Sequence, residues 1–274
     1  MKIVSDSSCD IFAKKNISFT SVPFKISTDS FDFSDDITLN VKDMTDKLKA
    51  YKGRSYTGCP GIQSYLDAFD KEKEIFVLTV TKGLSGSYNA AVTAARTYKE
   101  ENPDANIHVF DTLSAGPEIR LAIDKISELH HKGLPFEKIC KEVTAYMSTT
   151  RLFFSLESLH NLAMNGRVNK LTASAVGLLG IRVIGTAGPL GTLETISKCR
   201  GEQKTIEKLL EEIKKAGYSG GKIYIAHVFN PNLANLLKKH ITDAFPGATV
   251  KIYETRGLCS FYAESGGVLI GCEC

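Results

Sequence analysis

Twice in its first half the chain runs through the same pattern: an apolar stretch, a turn crowded with hydroxyls and acids, then a helical segment. "EIFVLTV" at 74–80 leads into "TKGLSGSYNAA", and "NIHVFDT" at 106–112 leads into "LSAGPEIRLAIDK". The opening "KIV" likewise breaks into the hydroxyl-rich "SDSSCD". Apolar runs of this length, alternating with helices, predict buried strands in a parallel α/β layer. "VKDMTDKLKAY" reads as a helix with Val41, Met44 and Leu48 on one face, and "IQSYLDAFDK" as another, with Pro60 near its start. "ISFTSVPFKIS" reads as one or two strands broken at Pro23, and "DFSDDITLN" and "GRSYTGCPG" as loops.

Further along, Pro117 and Gly133 bracket one helix, and "PFEKICKEVTAYMST" is the next. The character changes at "RLFFSLESL". A short helix to Gly166 follows, then the Gly- and Leu-rich "VGLLGIRVIGTAGPLGTLETI". Helix, strand, helix and strand patterns complete the second half, with Ile206, Leu209, Leu210 and Ile213 on one helical face. The expected division is an N-terminal unit over residues 1–150 and a C-terminal unit over 151–274, with no flexible linker between them.

Composition narrows the function. The 274 residues are 43% hydrophobic and 24% charged, enough apolar content for a core. A formal net charge of +3 with no dense basic block argues against a nucleic-acid partner. No apolar run reaches the roughly 18 residues of a membrane span, and the start lacks the apolar stretch of a signal peptide. The expectation is a cytoplasmic protein. Seven scattered cysteines form no CxxC pair; Cys272 and Cys274 form a CxC with no companion ligands for a metal. No metal or cofactor is expected.

The loop "TKGLSGSYNAA" offers serines and glycines at a helix start, an arrangement suited to an anion. A hydrolase elbow needs G-x-S-x-G, whereas around Ser85 the second glycine is replaced by Ser87. None of the six histidines is an evident general base; His227, at a strand end, is the best placed. Phosphate-binding glycine signatures are absent. "SDSSCD" can hold a metal and phosphate, although acids beside serines at turns are usually caps. In an open α/β layer ligands settle at the carboxyl ends of the strands. There Ser85 or Ser87 caps a helix while backbone N–H groups face a negative group, and Thr57 lies in a loop able to reach the same end. An ordinary N-cap remains the competing reading of Ser85.

Taken in order, these segments resemble the DegV family of bacterial fatty-acid-binding proteins. "SDSSCDI" is similar to its T-D-S-T/S-x-D start, "TGCPG" loosely to its T-S-Q-P-S loop, and "TKGLSGSYNAA" closely to its L-S-G-T/S-Y signature. "VFDTLSAG", "LHNLAMNGRVNK", "GLLGIRVIG" and "SKCRGEQK" resemble later family segments, so the likeness covers nearly the whole chain.

The resemblance implies two α/β domains, with a mostly parallel sheet in the first, and a long-chain fatty acid such as palmitate between them. It places the carboxylate on Thr57 and on the Ser85–Gly86–Ser87 turn, with Ser87 standing where threonine is commoner and also able to cap the helix. It implies no catalysis by this chain itself. Characterised members act as the FakB-type subunit of fatty acid kinase and present the carboxyl group to a FakA-type kinase partner; Arg167 matches an arginine near that partner-facing surface. Two features depart from the pattern: Gly58 and Cys59 replace the usual Ser and Gln, and no H-x-G-P-G segment closes the chain, with Glu273 near where its histidine would fall. A Ser85-dependent hydrolase, a phosphoryl-transfer protein and a lipid-stabilised interaction protein are the alternatives.

Overall fold

The computed structural model describes residues 1–168 and 180–274. The start of the Gly- and Leu-rich stretch and the end of "LHNLAMNGRVNK" lie outside the described residues. The first sheet contains β1 (Lys2–Asp6), β2 (Ser18–Val22), β6 (Glu74–Thr79) and β7 (Asn106–Asp111), all parallel, in the order β2-β1-β6-β7. Helices α2 (Ile62–Phe69) and α3 (Ser87–Glu101) cover one face; α4 (Pro117–His131) and α5 (Phe136–Ser148) cover the other. Val4 and Val77 pack toward α2 and α3, while Ile3, Phe76 and Leu78 pack toward α4 and α5. Burial on both faces is why these strands read as unbroken apolar runs rather than alternating ones. The chain leaves β1 on one side for β2 and returns on the other for β6, so a crevice opens at the carboxyl ends of β1 and β6.

A small antiparallel sheet lies beside it: β3 (Lys25–Ser27), β4 (Asp32–Ser34) and β5 (Tyr56–Gly58), in the order β4-β3-β5. Two segments read as loops in the sequence are therefore short strands. Three residues held by backbone pairing leave no hydrophobic period to detect. Helix α1 (Val41–Ala50) packs here through Met44, against Ile26 and Phe261.

The second sheet has six strands: β8 (Thr150–Leu156), β9 (Ile181–Ala187), β10 (Leu193–Arg200), β11 (Gly221–His227), β12 (Ala248–Glu254) and β13 (Val268–Glu273). Their order is β10-β9-β8-β13-β11-β12, antiparallel except for β11 with β12. Helices α7 (Glu202–Lys215) and α8 (Pro231–Ala244) cover one face through Leu209, Ile213, Leu233 and Leu237. Two short helices, α6 (His160–Met164) and α9 (Gly257–Ala263), lie near the other face. No element was expected in the last eighteen residues, yet β13 lies between β8 and β11 near the middle of this sheet.

Helix α4 joins the sheets because it is apolar on one side and polar on the other. Ile119, Ala122, Ile123 and Ile126 enter the core of the first sheet. Toward the second sheet, Asp124 accepts from the Tyr224 hydroxyl, Glu128 pairs with Lys222 at 3.3 Å, and Glu118 accepts from Thr150 Oγ1 at 2.5 Å. Its start lies so close to β13 that a Cβ on Gly271 would stand 2.7 Å from the Glu118 backbone nitrogen and 2.8 Å from the Pro117 carbonyl carbon. Backbone on both sides cannot give way as a side chain can. Gly271→Ala is therefore expected to cost about 1–3 kcal/mol through overpacking, read as a fall of several degrees in Tm by circular dichroism; an unchanged Tm would show that the two elements separate freely.

Candidate functional site

A cavity lies between the carboxyl ends of the first sheet and the inner face of the second. Its second-sheet wall is Leu152, Phe154 and Leu156 of β8, Leu193 of β10 and Leu269 of β13. Alternation along β8 sends these residues inward while Phe153 faces the α7–α8 core. Phe24 and Val80 close the opposite side, and Leu258, Cys259 and Ala263 of α9 join Leu84, Ala115 and Leu162 in the apolar lining.

The polar side chains in the wall, apart from Ser8, gather in one region: Thr57, Ser85, Arg167 and Tyr262. The hydroxyls of Thr57 and Tyr262 are 2.7 Å apart. Either can donate, and whichever accepts keeps its own O–H for a further partner. Ser85 Oγ accepts from the Ser87 backbone N–H at 3.2 Å, which likewise leaves the Ser85 O–H free to donate. Arg167 donates through Nε to the Leu84 carbonyl at 3.2 Å and through Nη1 to the Asn165 carbonyl, placing its guanidinium beside the same loop. Two O–H donors and a cation beside an apolar cavity can together receive an anionic group attached to an apolar body.

The expected site residues separate under this geometry. Thr57 and Ser85 line the cavity together, Thr57 from strand β5 rather than from a loop. Ser87 does not line it. Its hydroxyl is buried, donates to Asp6 Oδ2 at 2.6 Å and lies 2.6 Å from the Tyr65 hydroxyl. Gly86 is the N-cap of α3 and is not in the lining either; a Cβ there would sit 3.3 Å from Cys59 Sγ. Arg167, expected toward a partner-facing surface, is in the cavity wall. Glu273 is remote from the cavity, because its oxygens accept from the Tyr146 hydroxyl at 2.6 Å and the Lys222 N–H at 2.7 Å. The side chain beside Thr57 is instead Tyr262, which sequence reasoning missed. None of the six histidines lines the cavity.

Asp6 fastens this end of the fold. Its carboxyl group accepts from the Val80 N–H at 2.9 Å, from Ser87 Oγ, and from the N–H and hydroxyl of Ser8. It thereby ties the ends of β1 and β6 to the start of α3. Burial pushes its pKa up, while these hydrogen bonds pull the other way. The "SDSSCD" segment is therefore a capped 3₁₀ turn and a clamp. No group of three or more potential metal ligands exists among the described residues.

Two more carboxyl groups hold α9, the helix that carries Tyr262. Asp35 accepts from the Gly257 and Leu258 N–H groups at 2.7 and 2.8 Å, and Asp10 Oδ1 from the Arg256 N–H at 2.6 Å. Acids at a helix start satisfy otherwise unpaired donors and complement the dipole. Burial, with Asp35 nearby, raises Asp10 from its ordinary 3.8 to about 7. Because the folded value lies above the unfolded one, the native state binds the extra proton. The stability from this group is full below about pH 4 and is lost as pH rises through about 7. Urea titrations at about pH 5 and about pH 8 should show a smaller fall in stability for Asp10→Asn than for the unchanged chain; equal falls would show that Asp10 titrates normally.

Comparison with known proteins agrees with this architecture. Residues 1–272 match the model of a family described as "Uncharacterised protein, DegV family". A DegV domain-containing protein of Streptococcus gordonii is 45% identical over 276 residues, covering 99% of this chain and 98% of that one. Among solved structures, a DegV family protein from Eubacterium eligens loaded with heptadecanoic acid is 48% identical with a TM-score of 0.98, and each chain covers 99% of the other. The Streptococcus pneumoniae Fatty Acid Kinase (Fak) B3 protein loaded with linoleic acid is 43% identical with a TM-score of 0.96, over 99% of this chain and 98% of that one. The two-sheet fold, with the first sheet parallel, is thus shared with fatty-acid-loaded relatives, and this chain belongs to the DegV family.

Proposed function

We propose that this protein binds a long-chain fatty acid in the cavity between its two sheets, with the carboxylate at Thr57 and Ser85 and with Tyr262 and Arg167 beside it. The observation that carries this reading is the segregation of the cavity into an apolar wall and a cluster of hydroxyls and guanidinium that holds all its polar side chains but Ser8 among the described residues. Burying methylenes at roughly 0.8 kcal/mol each gives a sixteen-carbon tail on the order of 10 kcal/mol of gross drive. Ordering the tail and losing its free motion offset much of this. The fatty acids carried by the Eubacterium eligens and Streptococcus pneumoniae relatives support the same ligand class.

The chain itself carries out no chemistry in this reading, and the family resemblance adds that the carboxyl group is presented to a FakA-type kinase partner for conversion to an acyl phosphate. The name of the pneumococcal relative supports that role. The 1–150 unit supplies Thr57 and Ser85, and the 151–274 unit supplies Arg167, Tyr262 and the wall of the tail. A hydrolase reading is disfavoured because Ser85 Oγ has no histidine in the cavity to take its proton.

Native mass spectrometry of protein purified from bacterial cells should show a co-purifying fatty acid. Thr57→Val and Ser85→Ala should each weaken rebinding about ten- to hundredfold, since a hydrogen bond to a charged group contributes about 1.5–3 kcal/mol. Absence of any bound lipid, with no binding on titration, would overturn the assignment. Addition of a fatty acid kinase with Mg-ATP should yield an acyl phosphate, trapped as its hydroxamate; no product from retained lipid would leave binding intact and remove the kinase role.

A further inference from the structure

The last strand carries a pair of thiols that the proposed fatty-acid site does not use. Cys272 and Cys274 are two residues apart on β13 and its immediate continuation, so their side chains share a face. Their sulfurs are 3.3 Å apart, within S–H···S contact. Cys272 is fully buried and lies in register between Arg151 of β8 and Ile223 of β11. Cys274 is half-buried, lies beyond the end of the strand and is held by its N–H to the Thr149 carbonyl at 2.6 Å.

We propose that Cys272 and Cys274 form a reversible redox pair, in which a hydroperoxide oxidises Cys274 and Cys272 resolves it to a disulfide. The asymmetry of the pair assigns the roles. Cys274 is the more accessible sulfur. Either thiol can donate across this contact; with Cys272 as the donor, and with the positive field of Arg151, the Cys274 pKa is lowered against the effect of burial, while Cys272 is pushed up by its contact with Cys274 and by burial. Thiolate character and access are what select a cysteine for peroxide attack. Glu118 and Tyr218 also face the pair, and Glu118 opposes the Cys274 thiolate.

In the first step the Cys274 thiolate attacks one peroxide oxygen, the O–O bond breaks, and hydroxide leaves, giving a sulfenic acid. In the second, Cys272 sulfur attacks the sulfenic sulfur, the S–O bond breaks, and the departing oxygen takes the thiol proton and leaves as water. Two thiols are oxidised, and one hydrogen peroxide is reduced to two waters, the hydroxide of the first step taking up the proton that the Cys274 thiol released on ionising. Residues two apart in an extended strand have Cα atoms about 6.6 Å apart, near the upper end of the disulfide range of about 4.4–6.8 Å. Closing the bond draws Cys274 inward from outside the ladder. A bond under such strain is readily reduced, as suits a reversible modification.

The test uses the full chain, reduced and then treated with a small excess of hydrogen peroxide, denatured and alkylated. Two fewer alkylated cysteines than the seven free thiols of the reduced chain are expected, mapping to Cys272 and Cys274 and restored by dithiothreitol. Cys272→Ser should stop the reaction at a sulfenic acid on Cys274 that dimedone captures. Cys274→Ser should leave Cys272 unreactive. An unchanged count of seven, oxidation of the exposed Cys59 in preference, or dimedone capture at Cys272 in the Cys274→Ser variant would each overturn the proposal.

Discussion

A buried carboxyl group with no cation among its hydrogen-bond partners in the described residues holds the cavity end of this molecule together. Asp6 lies where β1, β6 and α3 meet, and its cost of burial is offset only by donors from all three: Ser8, Val80 and Ser87. Because each donor comes from a different segment, the group is satisfied only when the segments are correctly assembled. Ser87, engaged in that way, directs its N–H to Ser85, and so the loop that faces the cavity inherits its shape from a residue outside it.

Helix α4 extends the same dependence to the second sheet. Its apolar side belongs to one core and its acids belong to the other layer, so the two sheets share a single rigid element. The return of α9 closes the arrangement. Its N–H groups are capped by Asp10 and Asp35, more than 200 residues earlier in the chain, and its body carries Tyr262 to Thr57. The cavity wall is thus built from both ends of the chain.

Much of the first sheet was legible because burial on both faces leaves an unbroken apolar signature, and because Pro117 and Gly133 mark helix ends locally. Strands β4 and β5 were not legible, since three residues set among acids, as in "DFSDD", or among glycines and a proline, as in "GRSYTGCPG", show no apolar run. β13 was also missed: "VLIGCE" is short, and Gly271 interrupts its apolar run. Thr57 and Ser85 were legible through their motifs, and the structure brings both to one cavity. Ser87 looked equivalent to Ser85 in the sequence, yet it opens α3 and turns into the interior toward Asp6, while Ser85 stays in the preceding loop.

The parallel layer, the helix-start loop at residues 81–91 and the ordered motifs follow from the chain's local character, because they depend on periodicity and on residues adjacent in the chain. Which hydroxyls meet is set by packing between distant elements. Tyr262 faces Thr57 across 205 positions, Arg167 reaches Leu84 across 83, and Glu273 is drawn away to Tyr146 and Lys222. Such pairings follow from strand order and from the two-faced packing of α4, which no local window of sequence contains.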